Sequence, residues 1–403
     1  MRILNVTQSY APFFEFGGPP VKVRALAEGM AKRGHQVGVL TADWGVEKRL
    51  KELPREPPAT AGPFGCTRML NGVNAVYLPT WFHFRALSWN PALGRFLRAR
   101  LADFDVVHIF GLYDFLGPRV AAECRKHKIP YVVEPIGMFV PIVRNIRMKK
   151  LYHRIWGRDM LQGAAALIAT AEQERDELVS GGLDPGRIRL RRNGVEAPPS
   201  LPERGAFRAM LEIPPAAKLV LFLGRLSQKK SPDLLLHAFS KLQQSPDGAG
   251  TEVHLAFIGP DEAGMEAQLI AIANNIGVAE RVHFCGARSG DAKWQAYRDA
   301  DVFVLPSQNE NFGNTAAESI AAGTPVIVTD QCGIAPFLKD VAGLVIRHNQ
   351  EDLIHALSRL LFDDRAHHRL QAGCASVAAA LSWEEPLQEM EMTYSLLASR
   401  GGT

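Results

Sequence analysis

Two carboxylates eight positions apart, Glu310 and Glu318, stand in the segment 301–328, DVFVLPSQNENFGNTAAESIAAGTPVIV. The run DVFVLP reads as a strand ending near Pro306, a polar loop follows, and Gly313 precedes a helix expected from about Asn314. A loop-to-helix step offers backbone N–H groups and the positive end of a helix dipole, which together suit phosphate. Glu310 falls in the loop and Glu318 inside the helix, so the two acids are offset along that step. One could accept hydrogen bonds from hydroxyls on one side of a bound phosphate, the other from the opposite side. A nucleotide sugar has that layout: sugar hydroxyls, diphosphate, ribose hydroxyls. Taken alone, the same spacing also suits a solvated loop acid and a helix-surface acid.

A second group of residues bears on the choice. GRLSQKKS (224–231) directly follows the strand-like KLVLFL, so Arg225 and Lys230 would project from the carboxyl end of a strand. Paired cations there can neutralise a diphosphate, and an arginine can do so with two parallel hydrogen bonds. In isolation they could equally be surface cations capping a loop. Gly17-Gly18, and Gly259 before Pro260, each follow an expected strand and permit close backbone approach to a phosphate or sugar, or form an ordinary turn. No GxGxxG or GxxxxGK[ST] pattern occurs. Two Asp-x-Asp triplets, Asp103/Asp105 and Asp299/Asp301, precede strands rather than end them, which argues for solvated strand entrances and no metal.

The elements that must position these residues alternate short apolar runs with amphipathic segments, the signature of an α/β chain with parallel sheets. Strands are expected at 2–6, 37–41, 73–78, 105–109, 130–134 and 165–169, and again at 218–224, 252–259, 281–286, 301–306, 325–330 and 343–347. Helices such as 19–33 and 114–127 fall between them, and Gly34-His35 stands where the first should stop. APPSLP (197–202) cannot be helix or inner strand and reads as a linker. Two Rossmann-like domains follow, 1–196 and 203–382, with ligands expected beyond the carboxyl ends of strands, in a cleft between the domains. The last segment, 383–403, carries Trp383, Leu387, Met390, Tyr394 and Leu397 at helical spacing and could pack back on the first domain.

Composition excludes disorder: of 403 residues, 47% are hydrophobic and 22% charged. A net charge of +4, from 46 basic and 42 acidic residues, does not argue for nucleic acid. Five scattered cysteines form no CxxC or Cys/His cluster, which fits reduced thiols in a cytoplasmic protein. No run of 18 apolar residues or signal-peptide pattern occurs. One strongly basic stretch, RNIRMKKLYHRIWGR (144–158), has six Arg/Lys and no acid, with Ile142, Ile146, Leu151 and Ile155 near helical spacing. It could rest on an anionic membrane surface from the cytoplasmic side, or turn its apolar face to the core.

Taken together, FGGPP (16–20), GHQVGVLT (34–41), RRNGVE (191–196), GRLSQKKS (224–231), AFIGP (256–260), RVHFCGA (281–287) and ENFGNTAAE (310–318) make the chain resemble the family 4 retaining glycosyltransferases of the GT-B fold. The resemblance spans nearly the whole chain and is strongest over 218–346. It implies two Rossmann-like domains whose parallel sheets face a cleft. It also implies transfer of a hexosyl unit from a UDP- or GDP-linked sugar, with retention and without a metal or other cofactor, to a glycan or lipid-linked acceptor. Glu310 would contact the donor sugar and Glu318 the ribose, while Arg225 and Lys230 would hold the diphosphate. Backbone around Asn311, Phe312, Gly313, Asn314 and Thr315 would face the sugar and phosphates, with Gly259 nearby. Gly286 and Ala287 would border the base, and Gly17 and Gly18 would close over the phosphate from the other domain. Where the family often has His-x-His-Gly, this chain has His108-Ile-Phe110-Gly111, leaving His108 as the acceptor-side candidate or as a core histidine. Pro135-Ile136-Gly137-Met138 lacks the arginine of the related loop, and Ser231 replaces a common glycine. A nucleotide-sugar 2-epimerase and a non-catalytic nucleotide-sugar-binding protein share the same donor features and are the competing readings.

Overall fold

Apolar runs of four to seven residues become strands buried along their length, and the amphipathic segments between them become helices that cover the sheets. The computed structural model describes residues 1–53, 56–84, 87–140, 146–246, 248, 250–338 and 340–401. These form two compact units, one of Met1–Asn193 with Trp383–Thr403, the other of Gly194–Ser382. The chain passes between them at 193/194 and 382/383, whereas the proline-rich 197–202 falls inside the second unit, where Leu201 packs on the core.

The first unit is built on Arg2–Thr7, Gln36–Ala42, Val73–Leu78, Val106–Phe110, Tyr131–Glu134, Ala166–Ala169 and Ile188–Leu190, all parallel. Arg2–Thr7 is central, between Gln36–Ala42 and Val106–Phe110. Thr60–Gly62 and Gly65–Leu70 extend one edge antiparallel. The periodicity pointed to neither: Thr60–Gly62 is short and largely exposed, and in Gly65–Leu70 a buried Arg68 beside an exposed Met69 reverses the hydropathy that marks a strand. The helix Gly18–Lys32 ends as expected: Gly34 takes φ +87° and the His35 N–H donates to Met30 O at 3.2 Å, a left-handed glycine stop.

The C-terminal helix Glu384–Gly401 belongs to this unit. Leu387, Met390, Tyr394 and Leu397 are buried in the same core as Val23, Leu26 and Met30 of Gly18–Lys32. Each such burial contributes about 1.5–3 kcal/mol. Gly29 makes the approach possible, since a Cβ there would meet Leu387 Cδ2 at 2.5 Å. Glu391 adds polar contacts, accepting from Arg33 at 2.9 Å and lying 2.8 Å from His35 Nε2.

In the second unit six parallel strands run Val282–Phe284, Val253–Ile258, Lys218–Leu223, Val302–Leu305, Val326–Thr329 and Gly343–Ile346 across the sheet. Numbered by sequence, that order is 3-2-1-4-5-6, the doubly wound arrangement whose ligands sit where the order reverses. The reversal lies between Lys218–Leu223 and Val302–Leu305, the strands that lead into GRLSQKKS and into the Glu310 loop.

Candidate active site

At that reversal the loop after Lys218–Leu223 and the loop after Val302–Leu305 are tied together. Lys229 O accepts from the Gln308 N–H at 2.9 Å, and Lys230 Nζ donates to Glu310 Oε2 at 2.7 Å. The Glu310 backbone is pinned from the other side, donating to Gln331 O at 2.9 Å and accepting from the Gly333 N–H at 3.0 Å. Both side chains keep partial access to solvent, 19% for Lys230 and 22% for Glu310. Burial pushes the Glu310 carboxyl up, but the Lys230 ammonium, with Lys229 behind it, holds it below its ordinary value. Arg225, in the same loop as Lys230, is half exposed and lies 3.8 Å from Glu262.

The helix Asn314–Ala321 starts at Gly313, whose φ of +103° turns the chain into it, and its cap has no side-chain hydrogen bond. First-turn amides at such a start lack intrahelical partners. The Thr315 hydroxyl is buried beside it with no partner among the described residues. The Phe312 ring is core, against Phe337, so only backbone at 312 and 313 can face a ligand. Asn311 and Asn314 are partly exposed on the same turn.

Gly259 serves the backbone itself. Its φ is +148°, and a Cβ there would stand 1.9 Å from Gly224 O. Its N–H donates to Gly286 O at 2.9 Å, while the Gly224 N–H donates to Ile258 O at 2.8 Å. Three neighbouring strand ends are thereby held in register, with Gly286 and Ala287 exposed at the third. Ser231, where the resemblance led to the expectation of a glycine, has φ +47°, a conformation that favours glycine. Its hydroxyl lies 2.9 Å from His348 Nε2.

Sequence reasoning placed Glu318 in the helix but missed what holds it. Lys293 Nζ donates to Glu318 Oε1 at 2.7 Å and the Tyr297 hydroxyl donates to Oε2 at 2.8 Å. Both come from Gly290–Asp299, where four-residue spacing puts them on one face. That spacing was visible, but the meeting with Glu318 depends on tertiary packing. The Asp-x-Asp acids also have structural partners. Asp105 pairs with Arg2 at 2.8 Å, Asp299 accepts from the backbone of Gly205, Phe207 and Arg208, and Asp301 accepts from Arg208 at 2.7 Å. No cluster of three or more metal-ligating side chains occurs among the described residues.

The remaining expected residues lie in the first unit. Gly17, φ +94°, caps Gly18–Lys32, and Gly18 is exposed as its first residue. His108 is different from the expected acceptor-side group: it is fully buried, and its Nδ1 lies 2.6 Å from the Tyr394 hydroxyl. Burial pushes its imidazole down to about 3, so it is neutral near pH 7. Its Nε2 stands 3.6 Å from Glu134 Oε2, beyond hydrogen-bond reach. Of the two readings open for His108, the core histidine is the one its surroundings match. Beside it Lys22 and Arg191 both pair with Glu134, Arg191 at 2.6 Å. In the neighbouring loop Ile136 takes φ +57°, a strained choice for a β-branched residue.

Comparison with known proteins agrees with this geometry. Residues 203–374 match the model of glycosyl transferases group 1, and residues 17–194 that of the glycosyl transferase 4-like domain. A D-inositol 3-phosphate glycosyltransferase of Streptomyces bingchenggensis is 35% identical over 241 residues, 58% of this chain and 53% of that protein. The chain thus spans about half the length of such curated relatives. Sucrose-phosphate synthase from Thermosynechococcus elongatus superposes with a TM-score of 0.76 at 20% identity, covering 99% of each chain. Anabaena HepE, solved in complex with UDP and glucose, gives 0.74 at 16% identity over 98% of this chain and 99% of its own. With both halves matched by their family models and this fold in each unit, the chain belongs to family 4 of the glycosyltransferases, of the GT-B fold.

Proposed function

We propose that this chain transfers a hexosyl unit from a UDP- or GDP-linked sugar to a glycan or lipid-linked acceptor, with retention of anomeric configuration and without a metal. One observation carries the reading: Lys230, Glu310 and the start of Asn314–Ala321 stand together at the carboxyl end of the strand reversal. The structure of HepE with UDP and glucose, on the same fold, supports a nucleotide-sugar donor.

Departure of the nucleoside diphosphate leaves negative charge on its phosphates. Lys230, Arg225 and the first-turn amides at 313–315 oppose that charge as it develops, which lowers the barrier. An incoming diphosphate competes with Glu310 for Lys230, and a Glu310 carboxylate freed from it can accept from sugar hydroxyls. Glu310 then positions the donor and need not act as nucleophile. Glu318 takes the ribose. The departing phosphate receives the acceptor proton on the face from which it leaves, and the new glycosidic bond forms on that face.

Thermal-shift measurement against UDP-glucose, UDP-N-acetylglucosamine and GDP-mannose, followed by turnover with and without EDTA, tests the reading. A donor that raises Tm and is consumed by transfer or slow hydrolysis, unchanged by EDTA, is expected. Conversion of the donor to its epimer without an acceptor, or binding with no turnover, overturns it.

We also propose that the basic stretch 144–158 contacts an anionic membrane surface on the cytoplasmic side, where lipid-linked acceptors lie. Ile142, Arg144 and Asn145 fall outside the described residues. Within the rest, Ile146, Met148, Leu151, Ile155 and Trp156 are all exposed beside Lys149 and Lys150 rather than turned to the core. Apolar side chains interleaved with cations suit a lipid interface. Co-sedimentation with vesicles that contain anionic lipid, and not with neutral ones, is expected; no lipid dependence rejects the contact. No helix among the described residues is long and apolar enough to cross a membrane.

A further inference from the structure

We propose that Lys293 and Tyr297 are positioning residues that fix the Glu318 carboxylate for a pair of vicinal hydroxyls, and so set the preference of this site for a ribonucleotide over its 2′-deoxy form. The inference rests on the reading above in which Glu318 meets the ribose, and adds how that carboxylate acquires its selectivity.

A glutamate carboxylate has about four lone-pair positions on two oxygens. Here each oxygen takes one donor from the protein, Oε1 from Lys293 and Oε2 from Tyr297. The carboxylate plane is thereby set by two contacts rather than left to rotate about its last side-chain bond. One further acceptor position remains on each oxygen, and the side chain keeps 16% of its surface accessible. Two adjacent O–H donors on a five-membered ring match that pair of acceptors.

The two donors are themselves held. Tyr297 is fully buried, with its ring edge-on to Trp294 and Phe303 at 5.8 and 5.7 Å. Its carbonyl accepts from the Thr324 hydroxyl at 2.6 Å, which fixes the backbone beneath the ring. Burial and the neighbouring Glu318 charge keep the phenol protonated, so it stays a donor. Lys293 sits one helical turn earlier on the same face, 22% exposed, and balances the Glu318 charge. A carboxylate ion-paired and hydrogen-bonded from behind cannot swing away when a hydroxyl is missing. A 2′-deoxyribose leaves one of its acceptor positions unmatched, which penalises the deoxy ligand.

The test is calorimetric titration of the full chain with UDP and 2′-deoxy-UDP, or with GDP and 2′-deoxy-GDP if the guanine pair binds. Wild type, Y297F, K293M, K293R and E318Q are compared, with thermal unfolding as a check on each. Wild type is expected to favour the ribo form by about 10-fold or more, the size of one hydrogen bond to a charged group. Y297F and K293M should cut that ratio by about 3-fold or more, mostly through weaker binding of the ribo form. K293R should restore it, and E318Q should bring it near unity. Mere loss of packing would weaken both nucleotides equally and leave the ratio alone. If E318Q erases the preference while folded Y297F and K293M retain it, the positioning role is overturned and the ribose reading stands. If E318Q retains the preference as well, the ribose reading falls and this inference with it.

Discussion

Each unit gathers opposite charges around a carboxylate, yet the two units hold them in opposite ways. In the first unit Lys22, Glu134 and Arg191 are all buried, two cations on one carboxylate, with neutral His108 alongside. In the second, Lys230 with Glu310 and Lys293 with Glu318 form pairs that remain partly open to solvent. A buried ion pair that loses a partner strands a desolvated charge, so such a group serves the fold. A partly hydrated pair costs far less to open, so its members can exchange partners with a ligand. Residue type alone does not separate these roles; access to water does.

The contrast breaks most sharply at Glu134. E134Q leaves Lys22 and Arg191 without their carboxylate and should destabilise the first unit by about 3–5 kcal/mol in denaturant titration. Near-wild-type stability would mean the cluster is more hydrated than its burial indicates. Arg225→Ala should behave in the reverse manner, with turnover reduced on the order of 10²-fold or more and the unfolding midpoint almost unmoved, since the guanidinium is half exposed. Normal turnover in that variant would remove Arg225 from the diphosphate site.

Acid should act on the first unit through His108 and Glu134. His108 titrates near 6.5 when unfolded but is held at about 3 in the fold, so between those values the unfolded chain binds the extra proton. His108 alone therefore lowers stability as pH drops through this window, by about 1.4 kcal/mol per pH unit, and below about pH 6 the Asp114 carboxyl, which burial raises to about 6, works in the opposite direction. Burial alone would raise the Glu134 carboxyl, but Arg191 and Lys22 hold it at about 2. Its contribution is complete above pH 4.5 and lost as pH falls from there towards 2. Thermal unfolding from pH 7 to 5, compared between wild type and His108→Gln, isolates the His108 part: the variant should lose less stability over that range. The smallest effect is expected for Tyr394→Phe, which takes away the hydroxyl beside His108 Nδ1 at a cost of about 1 kcal/mol. A loss measured in the melting of the C-terminal helix would trace that helix's docking partly to this contact.

Much of the second unit could be read without coordinates. Its expected strands match the observed ones to within two residues at each end, and Gly313 opens the helix one residue before Asn314 as its position implied. The first unit was legible in its central strands and in the stop at Gly34, but not at its antiparallel edge, where Thr60–Gly62 is short and exposed and Gly65–Leu70 buries Arg68 while exposing Met69. Gly259 was recognised as a point of close approach, though the partner in the structure is the Gly224 carbonyl.

What the sequence determined by itself was local: hydrophobic period, the residues that start and stop helices, and the loops that carry Arg225, Lys230, Glu310 and Glu318. These depend on neighbours within a few positions, so the pattern is written along the chain. Tertiary structure alone decided which charges meet. Lys22 and Glu134 are 112 positions apart, His108 and Tyr394 are 286 apart, and Lys293 reaches Glu318 across 25. Whether a histidine or a lysine is exposed to water is settled only when such distant segments pack around it, and that hydration sets both its proton affinity and its freedom to bind a ligand.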